Sequence, residues 1–492
     1  MVNFARRSLL KGLAAATSLS AMGVASAADG RDQFVVTTRG GNAERRLEAA
    51  GATVLDSIAG GRVLLVAADS ATTADVNGVR SVDPNRGYRP VGPAKRSTEE
   101  SLDEDFAAIQ WDKQADTTGA FEAHDTATGD GRDVAIIDTG IDTEHPDLRN
   151  AIGRGQLFRA DGVVSPDGGP RVDGDVTVPA RLPDGPEIAS YVYLGAPAIR
   201  EQAAGDDVDS HGSHCAGIAT AKHDDTSAGE DFGIAGMAPD AEVVPLRVFY
   251  WKELAGYPYD MDDDGEEESV TVTTLWTTDY DILAAIDYAA DIGVDAANMS
   301  LGGGVVKGSA HNTGEHVAYQ TVIQSAVRRG TVVTTSAGNA DADLQHEGYY
   351  TLPNSVPGSI SVSATGPNNE RVFYSNYGTS DIDVGAPGGG YETLEKTLAD
   401  DTDWPYPLNL VYSTVPPDLN DGTAYAWYAG TSMAAPQVAG LVALLREVDP
   451  DLSAKRVQSI IENTARFSRG KSSADLGAGV IHAPSALDRA SK

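Results

Sequence analysis

A single cysteine, Cys215, stands in a chain of 492 residues. It excludes an intramolecular disulfide, so the fold must rest on packing, bound ions or salt. Positive charge is scarce as well. Lys and Arg number 37 against 72 Asp and Glu, a formal net charge of -35. The deficit runs along the whole chain, and it argues against a nucleic acid as partner, because a polyanion repels phosphate. Two readings of it stay open. Dense carboxylates hold water and cations at a surface adapted to concentrated salt, where screening damps their repulsion, or the chain is an ordinary acidic protein. After the amino-terminal leader no apolar run is long enough to span a bilayer as a helix, which leaves no stable membrane anchor. Internal repeats are also missing.

What is present begins with that leader. Arg6, Arg7 and Lys11 supply positive charge, an apolar stretch runs from Leu13 to Val24, and Ala25-Ser26-Ala27 offers a small-x-small cleavage site. Residues 1–27 therefore read as a signal peptide, and the protein as secreted. The run Ala5-Arg6-Arg7-Ser8-Leu9-Leu10-Lys11 resembles the twin-arginine export motif in relaxed form, with an ordinary secretory signal as the alternative. Residues 28–104 read as a small α+β proregion with its linker. Strands are expected at Phe34–Thr38 and Arg62–Ala67, a helix at Glu44–Ala50, and an apolar segment near Val79. Tyr88 to Glu104 mixes Pro, Gly and charge and reads as an exposed, cleavable linker.

From about Asp105 to the end the pattern alternates buried strands with longer helices. Strands are expected at Val134–Ile137, Glu242–Phe249, Asp295–Leu301, Thr331–Ser336, Ser359–Ala364 and Asp381–Ala386. Helices are expected near 277–292, 315–329 and 453–466, and a long one from Ser432. This is the pattern of an α/β fold with a mostly parallel central sheet covered on both faces, three layers in all. Phe158–Gly205 and Gly388–Asp421 are polar or Tyr/Pro-rich and read as surface excursions near a binding face.

Three short segments carry chemistry. Asp138 ends a buried strand and precedes Thr139-Gly140, where α/β folds place ligands and catalytic groups; a helix-capping aspartate is the plainer reading. His211 and His214 lie three apart in Asp209-Ser-His-Gly-Ser-His-Cys-Ala-Gly217, which suits a metal pair on one helix face or one functional histidine with a structural one behind it. Ser432 opens the small, apolar helix of Gly430-Thr-Ser-Met-Ala-Ala-Pro436. Free backbone N–H groups there favour negative charge, so it reads either as a helix cap or as a nucleophile beside its own oxyanion donor.

Taken together, the blocks Asp138-Thr-Gly-Ile-Asp142, His211-Gly-Ser-His-Cys-Ala-Gly217 and Gly430-Thr-Ser-Met-Ala-Ala-Pro436 make the chain resemble the subtilisin-like serine proteases, the subtilases, over most of residues 105–485. The cysteine after the second histidine resembles the proteinase K branch. The acidic composition and the leader resemble the halolysins, secreted proteases of halophilic archaea. The resemblance implies a subtilisin-like three-layer fold over residues 105–492. It also implies a serine endopeptidase with a Ser432–His211–Asp138 triad and an acyl-enzyme intermediate. Asn339 in Ser336-Ala-Gly-Asn339 matches the family's oxyanion asparagine. Ser300, Leu301 and Gly302 match the strand that pairs with extended substrate, and Ala337 and Gly338 the opposite wall, with the base of the pocket loosely near Thr351. Small, uncharged walls imply apolar or aromatic residues before the scissile bond. The partners implied are peptide substrates and the chain's own proregion as an intramolecular inhibitor. No organic cofactor is implied. The family commonly carries structural calcium, and Asp260, Asp262 and Asp264 with Gly265 have the spacing of a calcium loop. Thr271 stands where such a loop ends in glutamate, and acid-rich loops also occur in any salt-adapted protein. A narrow processing protease and a catalytically silent binding protein are the competing functions.

Overall fold

Short runs of β-branched and small apolar residues build the centre of the molecule because both of their faces are covered. The computed structural model describes residues 18–28, 30–69, 76–91, 106–148, 155–160, 170–181, 185–189, 191–222, 233–261, 266–303, 306–307, 314–346, 349–467 and 473–492. Its main sheet has eight strands. In spatial order they are Val384–Pro387, Ser359–Thr365, Val332–Ser336, Ala296–Met299, Asp133–Asp138, Glu242–Arg247, Gln156–Phe158 and Arg171–Val172. The first seven pair in parallel and only the last edge is antiparallel.

Alternate residues of one strand feed opposite cores, as the two-residue period demands. Val134 and Ile136 join a cluster with the helices His211–Thr220, Thr431–Val448 and Ala454–Thr464. Ala135 and Ile137 face the other way, toward the helices Asp279–Ile292 and Gly314–Arg329. Helix, sheet and helix therefore form three layers, and the α/β expectation holds. Helix Asp279–Ile292 is fixed at both ends. Thr278 and Asp281 form a reciprocal capping box, and Gly293 terminates it at φ 77°.

A second, antiparallel sheet precedes this. Its order is Thr53–Ile58, Val63–Ala68, Asp32–Thr38 and Val79–Pro84, with the helix Ala43–Ala49 on one face. Phe34, Val36, Leu64 and Val66 pack with Leu47 into a private core. On the opposite face Val35, Val63 and Leu65 join the cluster of Leu283, Ala318 and Tyr319. The small unit thus sits on two helices of the large one. Polar ties surround the contact: Ala59 N donates to Asp287 Oδ2 (3.1 Å), Gln33 Nε2 to the Ala160 carbonyl (2.6 Å) and Tyr280 N to Asn85 Oδ1 (3.0 Å).

Two sequence readings change here, and one segment gains a structure. Tyr88 does not open an exposed linker: Arg86–Val91 is a strand and Tyr88 is buried. Its local composition is polar, but two strand edges receive it, Thr277–Thr278 on one side and Ser18–Val24 on the other. Gly388–Asp421 is not wholly a surface excursion. Strand Val411–Thr414 pairs with Tyr425–Tyr428 inside the core, because the tyrosines and Trp427 bring apolar area that the polar letters hide. Finally, the carboxyl-terminal part of the apolar leader is itself a strand, Ser18–Val24, and Ala25 is buried between Asn85 and Gln33. Residues 1–17 and 92–105 lie outside the described residues.

Candidate functional site

Parallel strands end in the same direction, so the residues just past their carboxyl ends collect on one rim of the sheet. Asp138 is the last residue of its strand and is 1% exposed. Across the rim, His211 opens the helix His211–Thr220. His211 Nδ1 lies 2.8 Å from Asp138 Oδ1, which also accepts the Thr139 N–H at 2.7 Å. Burial works against a charged imidazole, but the facing carboxylate outweighs it and raises the His211 pKa well above its ordinary value. Its other nitrogen, Nε2, is buried without a hydrogen-bond partner among the described residues.

The approach of strand end and helix start depends on two glycines. A Cβ on Gly140 would lie 2.2 Å from the Asp206 carbonyl oxygen, and one on Gly212 would lie 2.0 Å from the Gly140 carbonyl oxygen. Asp207, which the sequence reading passed over, ties the two segments. Its Oδ1 accepts from Thr139 Oγ1, Asp209 N and Ser210 N, and its Oδ2 from Ser213 N and Oγ, all within 2.9 Å. These bonds hold Ser210 at φ 105°, a strained value for a residue with a side chain, just where the chain turns into the histidine. The available signal was an aspartate four residues ahead of His211.

His214 faces elsewhere. It stacks on Tyr428 at 4.2 Å, its Nε2 lies 3.1 Å from the Ala426 carbonyl, and burial lowers its pKa to about 3. The two histidines therefore do not make a metal pair. Cys215 Sγ lies 3.9 Å from His211 Nδ1 on its buried side, and burial raises its thiol pKa.

Ser432 is the second residue of its helix and fully buried. Pro436 stands four residues on and has no N–H, so the Ser432 carbonyl lacks its ordinary helical donor. Ser300 fills that place: Ser300 Oγ donates to the Ser432 carbonyl at 2.7 Å, and Cys215 Sγ lies 3.5 Å away. In return Ser432 Oγ donates to the Ser300 carbonyl at 3.1 Å. The hydroxyl thus points to the strand end rather than to His211 Nε2.

Asn339 lies past the end of Val332–Ser336. Its Oδ1 accepts from Thr431 N (2.8 Å) and Thr431 Oγ1 (3.0 Å), which fixes which end of the amide is oxygen. The segment around it is braced by Asn376, also unforeseen. Asn376 Nδ2 donates to the Ala337 carbonyl, and its Oδ1 accepts from Ala340 N and Ala342 N. Gly338 sits at φ 96°, where a Cβ would meet Asn376 Nδ2 at 2.6 Å. Opposite, Leu301 is buried, and Gly302–Gly303 pairs in parallel with Ser18–Leu19, so this edge already accepts an extended chain. Thr351 is buried nearby in sequence to Leu352, whose carbonyl would lie 3.3 Å from a Cβ on Gly302.

Of the aspartates read as a calcium loop, Asp260 follows the strand Tyr250–Tyr259 of a long hairpin with Glu268–Thr278, while Asp262 and Asp264 lie outside the described residues. Among the described residues the His/Cys/Asp/Glu group close enough to hold a metal is Asp138, His211 and Cys215. Its ring nitrogen is already hydrogen-bonded to the carboxylate.

Comparison with known proteins gives a consistent answer. The model of the Subtilase family matches residues 129–479. An extracellular protease of Xanthomonas campestris pv. campestris is 34% identical over 75% of this chain, which spans 53% of that longer protein. Thermitase of Thermoactinomyces vulgaris is 30% identical, over 70% of this chain and 84% of its own. The crystal structure of the epidermin leader peptide processing serine protease from Staphylococcus aureus superposes with a TM-score of 0.63. It covers 94% of this chain and 99% of that one at 18% identity, a likeness of fold.

Proposed function

Because the chain belongs to the subtilase family, we propose that it is a secreted serine endopeptidase made as an inhibited precursor and working in high salt. The observation that carries this is the 2.8 Å contact of Asp138 with His211, whose unpartnered Nε2 lies in the same buried site as Ser432. In the proposed cycle Ser432 turns about χ1 from the Ser300 carbonyl to Nε2. His211 takes its proton as Oγ attacks the substrate carbonyl, and Asp138 holds the tautomer and stabilises the imidazolium. His211 then protonates the leaving amine, and water resolves the acyl-enzyme by the same route in reverse. The carboxylate that raises the histidine's pKa favours the proton-accepting step.

Asn339 is the proposed oxyanion donor. Its oxygen accepts from Thr431, so the NH₂ group is the end proposed to donate to developing charge. Asn339→Leu is expected to lower kcat by about 10²- to 10³-fold with little change in KM, the loss known for the corresponding donor of subtilisin and carried over from it. Steady-state kinetics on a chromogenic peptide check it, and a loss confined to KM would assign Asn339 to ground-state binding instead.

Ser300, Leu301 and Gly302 are proposed to pair with the substrate backbone, with Ala337 and Gly338 as the facing wall. These small, uncharged linings favour apolar or aromatic residues before the scissile bond. Residues 28–104 are proposed as the inhibitory proregion and residues 1–27 as the export signal, by the twin-arginine route. The proteinase K-like cysteine and the acidic surface support the halolysin-like branch. The test is to purify the exported protein in molar salt and follow casein cleavage and the amino terminus together. Casein cleavage with loss of residues 28–104 supports the broad reading. Maturation without casein cleavage favours a narrow processing protease, and neither event sinks the proposal.

A further inference from the structure

Arg86 and Tyr88 stand two apart on one strand, so their side chains project from the same face. Both end on an acidic pair. Arg86 Nη1 contacts Glu315 Oε2 at 2.6 Å. The Tyr88 hydroxyl lies 3.2 Å from Asp279 Oδ2 and 3.3 Å from Glu315 Oε1. The Arg86 N–H also reaches Asp279 Oδ2, at 3.3 Å, and Tyr319 Oη donates to Asp279 Oδ1 at 3.4 Å. The acids head two neighbouring helices, Asp279–Ile292 and Gly314–Arg329.

The backbone beneath these contacts is a strand edge paired with another segment of the chain. Gly87 and Tyr88 pair antiparallel with Thr278 and Thr277. The same sheet runs on through Ser18–Val24 to Gly302–Gly303, the strand whose preceding Ser300 carbonyl receives Ser432 Oγ. One ribbon therefore connects the acidic pair to the nucleophile's rim. When the small unit leaves, Thr277 and Thr278 lose their main-chain partners, and the edge can take another extended chain by strand addition. Asp279 and Glu315 are then wetted. Burial lifts both carboxyl pKa values, and the two acids then face the vacated strand.

We propose that Asp279 and Glu315 form an acidic subsite of the substrate groove, selecting an arginine or lysine on the amino-terminal side of the scissile bond. Arg86 is the chain's own occupant of that subsite. The proposal rests on the endopeptidase reading and adds a charge preference to it. The plainer alternative is that the acids only seat the small unit.

The test uses the matured protein and a set of quenched-fluorescence peptides that share one scissile bond. A single arginine is moved position by position along the amino-terminal side of an otherwise uncharged sequence. At one position arginine is expected to raise kcat/KM about tenfold over alanine, the scale of a charge-assisted hydrogen bond at a partly wet site. In Glu315→Gln that ratio is expected to fall toward one. In Glu315→Lys the preference is expected to turn to glutamate, a gain that a merely misfolded variant cannot produce. Cleavage of the peptides with a flat arginine scan, or an arginine preference that survives Glu315→Lys, overturns the subsite and leaves the endopeptidase reading intact. Failure to cleave any peptide overturns that reading, and the subsite with it.

Discussion

Ser432→Ala is expected to lose about 10⁶-fold in kcat on peptide substrates, the scale of the same deletion in subtilisin. The other hydroxyl at this helix start, Thr431 Oγ1, is already engaged with Asn339 Oδ1 and Gly338 N, so Ser432 is the residue proposed to attack. The deletion removes the atom that attacks and leaves the rest of the rim standing. The Ser432 carbonyl still receives Ser300 Oγ, so the helix keeps its anchor. Stability should therefore change little, which thermal unfolding of the two proteins in the same salt checks. A second readout follows from the proposed self-processing: the variant should keep residues 28–104 on its amino terminus while the parent sheds them. If the variant still cleaves casein or matures at the parent's rate, the nucleophile has been misassigned.

Asp138→Asn is expected to cost about 10⁴-fold in kcat/KM with the fold intact. The side chains are nearly isosteric, and the reason for the loss is charge. An amide with its oxygen on His211 keeps a hydrogen bond at Nδ1 but cannot stabilise the imidazolium. Turned the other way, it donates to Nδ1 and forces the tautomer that presents a hydrogen toward Ser432. The pH profile reports the same change. Asp138 raises the His211 pKa, and the reaction needs neutral imidazole, so the parent's rate falls as pH drops through that raised value. Without the carboxylate the acid limb of the variant's residual activity should move to lower pH. An acid limb that stays in place would mean that another group controls it.

The parallel strands and the two helix layers were legible in the sequence because their residues are buried on both sides. Val134 to Ile137 or Val332 to Ser336 admit little else. The blocks around Asp138, His211 and Ser432 were legible because each combines a reactive residue with the small neighbours its setting requires. What escaped was long-range pairing. Asn376 acts through backbone groups more than thirty residues away, and Asp207 joins its own loop to the distant Thr139 hydroxyl, a pairing that no local pattern marks. The strand Arg86–Val91 was hidden for the same reason: its letters describe a loop, and only the receiving edge at Thr277–Thr278 makes it a strand.

Pro436 and Ser300 have a consequence for how such a chain can change over generations. The proline withdraws one donor from the Ser432 carbonyl, and a residue 132 positions away supplies the replacement. The helix Thr431–Val448 and the segment after Ala296–Met299 are thereby geared together by a single hydroxyl. Drift at Ser300 would be felt first as a looser Ser432 and only second as altered substrate pairing. A residue restoring an N–H at position 436 would release Ser300 from that duty. Descendants can then be expected to exchange these two positions together, or to leave both alone.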